Sequence, residues 1–229
     1  MKIKKLKTSK LFWNKWPYKV CCHISGANKI TIFGLDRALL WCDGKYSSLW
    51  NSAQRTPVDK DKLKKFILKS KDFILDKDQV QVRAEGSRFN LFLKDKDLLK
   101  KMCDELSPWI TSVYGPTSDE EYEYLMNSDR KKILCDALPW GSFKYKVFLK
   151  ERMKSDPREA FLHWANRYSE EEISISFSTK RWLNSEVFYK QDPFFYIKDD
   201  SMLTMIRLFL GDNIRVIHEY VTRDTVYKE

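Results

Sequence analysis

Arg88-Phe-Asn-Leu-Phe-Leu-Lys-Asp-Lys-Asp-Leu-Leu-Lys-Lys-Met102 lies over Asp192-Pro-Phe-Phe-Tyr-Ile-Lys-Asp-Asp-Ser-Met-Leu-Thr-Met-Ile206 at a constant offset of 104 residues. The match continues without a gap through Leu106/Leu210, Ile110/Ile214 and Val113/Ile217. In both copies an alternating run reads as a strand, an aspartate pair opens a helix, and a second alternating run closes the unit. Aspartate suits that opening because its carboxylate accepts hydrogen bonds from first-turn amides that have no partner within the helix. Repetition at a fixed offset predicts a duplicated module.

The duplication extends backwards. Trp16-Pro-Tyr-Lys-Val20 resembles the Tyr145-Lys-Val147 strand that follows Trp140, now at an offset of 127. Between these strands and the aligned hairpins each copy carries a helix and a further short strand. In the second copy Asp156-Pro157 reads as an N-cap and first helical residue, with Phe161, Trp164, Ala165 and Tyr168 on one face. In the first copy the stripe is Leu63, Phe66, Ile67 and Ile74, capped by Asp59 or Asp61. Each unit then reads strand, helix, strand, strand, helix, strand. That order resembles the ferredoxin-like motif, which implies an α+β protein of tandem ferredoxin-like, RRM-like units, each an antiparallel sheet covered by helices on one face.

The expected organisation is a basic unit over 1–116, a connecting helix within 117–139, and a second unit over 140–229. The fall in offset from 127 to 104 places an insertion near 29–56, with Trp41, Cys42 and Trp50, and the second copy carries a longer hairpin loop, 179–192. In the connector, Ser118-Asp-Glu-Glu121 reads as a capped acidic helix start, with Arg130, Lys131 and Lys132 at its far end.

The 229 residues suffice for two domains of about 100 residues, each with its own core. Hydrophobic content of 43% and only 7 Gly and 7 Pro fit folded units without long flexible linkers. No apolar run approaches the roughly 18 residues of a membrane span, and no apolar segment follows the lysine-rich start as in a signal peptide. The expectation is a cytoplasmic protein with no membrane partner. A start containing lysine, isoleucine and asparagine, without a housekeeping motif, suits a viral or mobile-element gene, hence host cytoplasm. Five cysteines without CxxC spacing (Cys21, Cys22, Cys42, Cys103 and Cys135) read as buried thiols rather than a disulfide framework or a zinc site.

Net charge is +10 and unevenly spread. Residues 1–116 hold 24 Lys and Arg against 12 Asp and Glu, whereas 117–229 hold 18 against 20. Lys2, Lys4, Lys5, Lys7 and Lys10 form an N-terminal lysine arm, and Lys60, Lys62, Lys64, Lys65, Lys69 and Lys71 crowd one helix. Such a cluster points to a polyanion partner. Strand alternation turns Arg88, Asn90, Phe92 and Lys94 outward in the first unit, and Lys144, Lys146, Phe148, Lys150, Phe194, Tyr196 and Lys198 in the second. Aromatics interleaved with lysines on an open sheet resemble the surface logic of RNA-recognition motifs, where rings stack bases and cations hold phosphates, although the glycine-containing strand signature is absent. The expected partner is RNA or single-stranded DNA, bound without catalysis. Self-association through the acidic second unit is the structural alternative, with the sheet faces as protein contacts.

Catalytic candidates are few. Asp199-Asp200 resembles the paired magnesium-binding aspartates of polymerase palms, yet helix capping accounts for it and for Asp95 and Asp97. His23, beside Cys21-Cys22, and His163 are candidates for a general acid or base, as in tandem ferredoxin-like endoribonucleases, whose glycine-rich C-terminal loop is missing. An RNA-processing or metal-dependent nuclease on this scaffold is therefore the enzymatic alternative. No cofactor and no metal is expected.

Overall fold

The offset of 104 persists in three dimensions. Helix α4 spans Lys96–Leu106 and helix α8 spans Asp200–Leu210, residue for residue at that spacing. Asp95 accepts from the Leu98 amide and Asp199 from the Met202 amide, so both helices are capped alike. These relations come from a computed structural model that describes residues 3–46 and 58–227. The chain divides into two units, Met1–Met126 and Asn127–Glu229.

The first unit runs β1 (Lys4–Lys7), β2 (Tyr18–His23), α1 (Asn28–Phe33), α2 (Leu35–Cys42), α3 (Lys60–Leu75), β3 (Val80–Glu85), β4 (Arg88–Leu93), α4, β5 (Ile110–Gly115) and α5 (Asp119–Asn127), which ends at the division. The second runs β6 (Lys132–Cys135), β7 (Tyr145–Leu149), α6 (Ser155–Ala165), β8 (Ile173–Ile175), α7 (Phe177–Leu183), β9 (Phe194–Ile197), α8, β10 (Ile214–Thr222) and α9 (Arg223–Val226). The protein is therefore a mixed α+β chain with two five-stranded sheets, ordered β1-β5-β2-β4-β3 and β6-β10-β7-β9-β8. The register repeats too. Val20 faces Leu91 and Val113, while Val147 faces Phe195 and Ile217, the same positions at the two offsets.

Each sheet carries one strand more than the sequence pattern implies, and that strand is parallel. β1 pairs with β5 from Lys4 opposite Ser112 to Lys7 opposite Gly115, and β6 pairs with β10. The expected lysine arm is thus, from Lys4 to Lys7, an edge strand with every residue exposed. Backbone pairing orders it despite the lack of apolar alternation, and exposed lysines are a common guard on such an edge. The connector also differs, because α5 stops at Asn127 and Lys132 opens β6 instead of closing a helix. At the start of α5, Ser118 accepts from the Glu121 amide, and the buried Glu121 carboxylate accepts from the Thr117 amide.

The cores follow from the helix stripes. Leu63, Phe66 and Ile67 of α3 and Met102 and Leu106 of α4 are fully buried against Val20, Phe89, Leu91 and Leu93. In the second unit Phe161 of α6 meets Phe195 at 4.8 Å, with Val147, Leu149, Ile197 and Ile206 around it. Each such side chain stabilises its unit by about 1.5–3 kcal/mol relative to exposure. Helix α6 begins at Ser155, so Asp156 lies in its first turn rather than capping it, and no side chain caps this end.

The insertion near 29–56 contributes α1 and α2, whose Ile30 and Trp41 are buried in the first core; Trp50 lies outside the described residues. Nor is 179–192 simply a loop, since α7 reaches Leu183 and buries Trp182 and Leu183. Of the five thiols only Cys22 is fully buried; Cys21, Cys42, Cys103 and Cys135 are half-buried. No helix among the described residues is long and apolar enough to cross a membrane.

Candidate nucleic-acid interface

Lys146 stands on the sheet face opposite the helices of the second unit. Its neighbours Tyr145 and Val147 point into the core, so strand alternation turns it outward. Register sets it between Tyr196 on β9 and His218 on β10, with Phe148 and Phe194 paired one step along. The ammonium nitrogen lies 3.8 Å from the Phe194 ring centre, 4.8 Å from Phe148 and 5.4 Å from Tyr196. No carboxylate stands within ion-pair distance of it among the described residues. The electron-rich ring faces supply part of the solvation that the charge loses.

Around this cation the rings pack edge to face. His218 meets Phe148 at 5.3 Å, and Trp140 meets Tyr196 at 4.7 Å with planes 86° apart. Trp140 is 71% exposed and packs on Tyr196, one of the three rings around the lysine. Arg215 lies 5.4 Å above Phe148 while pairing with Glu151 at 3.3 Å and with Asp192. Phe148, Phe194 and Tyr196 are half-buried, chiefly against one another. Burial, then the neighbouring Tyr196, raises the Tyr220 hydroxyl well above its ordinary pKa.

The first unit repeats this nest but closes it. Lys19 pairs with Phe92 and Tyr114, its nitrogen 5.6 Å from Phe12, 5.6 Å from Phe92 and 5.3 Å from Tyr114. Phe92, expected as an exposed stacking ring, is only 5% exposed. Phe12 at 5.5 Å and Trp13 at 4.3 Å cover it.

Both covering segments belong to the duplication. Leu11-Phe-Trp-Asn-Lys-Trp-Pro-Tyr-Lys-Val20 matches Leu138-Pro-Trp-Gly-Ser-Phe-Lys-Tyr-Lys-Val147 at 127 without a gap. The turn conformation repeats as well: Trp13 and Asn14 have φ of 50° and 58°, Trp140 and Gly141 of 48° and 79°. Two successive left-handed residues favour Asn and Gly at the second place, and tryptophan at the first is unusual. The turn sets a tryptophan against the central-strand aromatic in each unit, Trp13 on Phe92 and Trp140 on Tyr196. Sequence reasoning missed Trp13, Trp140 and Lys19, although the ungapped match carried the signal.

The remaining predicted residues are spread more widely. Lys144 pairs with Asp200 at 2.9 Å and Glu219 at 3.6 Å, which occupies it within the fold. On α3, Lys62 pairs with Asp59 at 3.1 Å, Lys64 with Asp43 at 2.6 Å, and Lys60 lies 4.7 Å over Trp41. Lys65 and Lys69 are exposed on the same helix, Lys4, Lys5, Lys7 and Lys10 are exposed near the edge strand, and Lys2 is outside the described residues. Arg88 is exposed opposite His23 and Glu85, and Lys94 is half-buried just beyond β4.

The acidic and histidine candidates do not converge. Asp199 caps α8, and Asp200 accepts from the Tyr145 hydroxyl and from Lys144. His23 Nδ1 lies 3.4 Å from the Ser87 hydroxyl in the first unit, and His163 Nδ1 lies 3.5 Å from Arg167 in the second. Among the described residues no three His, Cys, Asp or Glu gather as a metal site would require. Comparison with protein-family models, curated proteins and solved structures finds no match.

Proposed function

We propose that the chain binds RNA or single-stranded DNA without catalysing a reaction, through two ferredoxin-like units each extended by a parallel edge strand. For the architecture, the support lies in the inner four strands of each sheet. Numbered from the first strand after the tryptophan turn, both run 4-1-3-2, with helices linking strands one to two and three to four. For binding, the reading rests on Lys146 among three rings beside the exposed Trp140. A base stacks on any aromatic face, contributing about 1–3 kcal/mol, and a phosphate finds the cation next to it. Exposed lysines of β1 and α3 add sequence-independent affinity by counterion release.

A labelled single strand titrated at low and high salt tests this reading. Binding that weakens with salt, and that falls about tenfold or more in Trp140→Ala, is expected. Affinity that is absent, or indifferent to both salt and Trp140, rules it out. An assembly role has its own support in the exposed apolar side of α8, where Leu208 is 84% exposed with Met205 and Phe209 beside it. Light scattering after nuclease treatment separates the two readings, because an assembly protein stays oligomeric without nucleic acid.

A further inference from the structure

A cavity of about 780 Å³ lies in the first unit between helix α4 and the β1–β5 edge of the sheet. Small-molecule sites span roughly 300–1,000 Å³. Its apolar wall comes from Ile3 and Leu6 at the edge strand, Val113 on β5, and Leu99 and Cys103 on α4. Lys5, Lys7, Lys96 and Lys100 also line it, against a single carboxylate, Asp97. Lys96 already pairs with Asp119 at 3.1 Å. Lys5 and Lys100 are exposed, with no carboxylate at ion-pair distance among the described residues.

The placement follows from register. Lys5 pairs with Val113, which pairs in turn with the core residue Val20, so Lys5 and Lys7 share the helix-covered side of the sheet. Their stems line the apolar wall while the ammonium groups reach water. The duplicated unit shows which features belong to this copy alone. By strand register Lys7, opposite Gly115, corresponds to Lys132, opposite Glu219, so that cation is shared, whereas on the helix the second unit has Asp200 for Lys96 and Thr204 for Lys100. Leu99 is half-buried here, whereas its counterpart Leu203 is buried.

An apolar trough with a cationic mouth complements a molecule with one long apolar chain and one anionic head. We propose that this cavity binds a single-chain anionic amphiphile of the fatty-acid type, the chain against Leu99, Cys103 and Val113 and the head between Lys5 and Lys100. This site is distinct from the outer sheet face and does not depend on nucleic-acid binding.

The test titrates the full chain with 11-(dansylamino)undecanoate. Expected is a saturable fluorescence rise at one probe per chain, reversed by dodecanoate or dodecyl phosphate but not by dodecyltrimethylammonium or butyrate. Lys5→Glu combined with Lys100→Glu, both at exposed positions, weakens binding about tenfold or more, whereas Trp140→Ala leaves it unchanged. In the unmodified chain dodecanoate slows alkylation of Cys103, read by peptide mass spectrometry, so that arm does not depend on a variant folding. No saturable signal below micelle formation, equal displacement by the cationic amphiphile, or full affinity in the double charge-reversal variant overturns the proposal.

Discussion

A half-buried lysine flanked by rings and a carboxylate at a helix start are accommodated by the fold in opposite ways. Lys146 lies beside three aromatic faces, while Asp200 is held by specific donors. The Tyr145 hydroxyl first, and the Lys144 ammonium next, hold the Asp200 carboxyl below its ordinary pKa of 3.8. A carboxyl whose folded pKa is depressed stabilises the fold above its unfolded value, near about 4, and loses that contribution as pH falls through the folded value. Solvent screening at this exposed site keeps the effect below about 1 kcal/mol. In Asp200→Asn the difference between urea midpoints at pH 7 and pH 3 is therefore expected to be smaller than in the wild type. At Trp13 the loss is one of packing. Trp13→Ala uncovers Phe92 and lowers stability by about 1–3 kcal/mol, measured by urea unfolding.

At the scale of elements, the same kind of cap starts two helices. Asp95→Ala and Asp199→Ala each remove the acceptor for a first-turn amide, and each is expected to cost about 1 kcal/mol by chemical unfolding. These caps were legible in the sequence because an aspartate before an apolar stripe carries its own local explanation. The strands β2, β4, β5, β7, β9 and β10 were legible for the same reason, through alternation repeated at fixed offsets. Strand β1 was not, since Lys-Lys-Leu-Lys has no alternation, and only pairing with residues over a hundred positions away makes it a strand. Helices α1 and α2 were read as an insertion of no stated structure, because burial of Ile30 and Trp41 depends on a core built from distant strands. The outward direction of Phe92 was read correctly from alternation. Its exposure was not, because the Phe12–Trp13 turn covers it, and tryptophan gives no local signal for a left-handed backbone.

Across the whole molecule, the proposed nucleic-acid binding would draw on two kinds of affinity at different residues, and salt separates them. The surplus of cations lies in residues 1–116, with Lys65 and Lys69 exposed on α3, whereas Trp140, the exposed ring proposed to stack on bases, is in the second unit. Each phosphate neutralised on a single strand contributes about −0.7 to the slope of log affinity against log salt. Lys65→Ala with Lys69→Ala is therefore expected to make that slope shallower by about 1.4, with affinities converging on the wild type as salt rises. Trp140→Ala removes stacking and no charge, so it lowers affinity at every salt concentration and leaves the slope unchanged. Fluorescence anisotropy with one labelled oligonucleotide, over four or five salt concentrations, measures both. If the lysine pair leaves the slope intact, the cationic helix does not contact the strand; if Trp140→Ala changes the slope instead, the exposed ring acts through charge rather than stacking, contrary to its geometry.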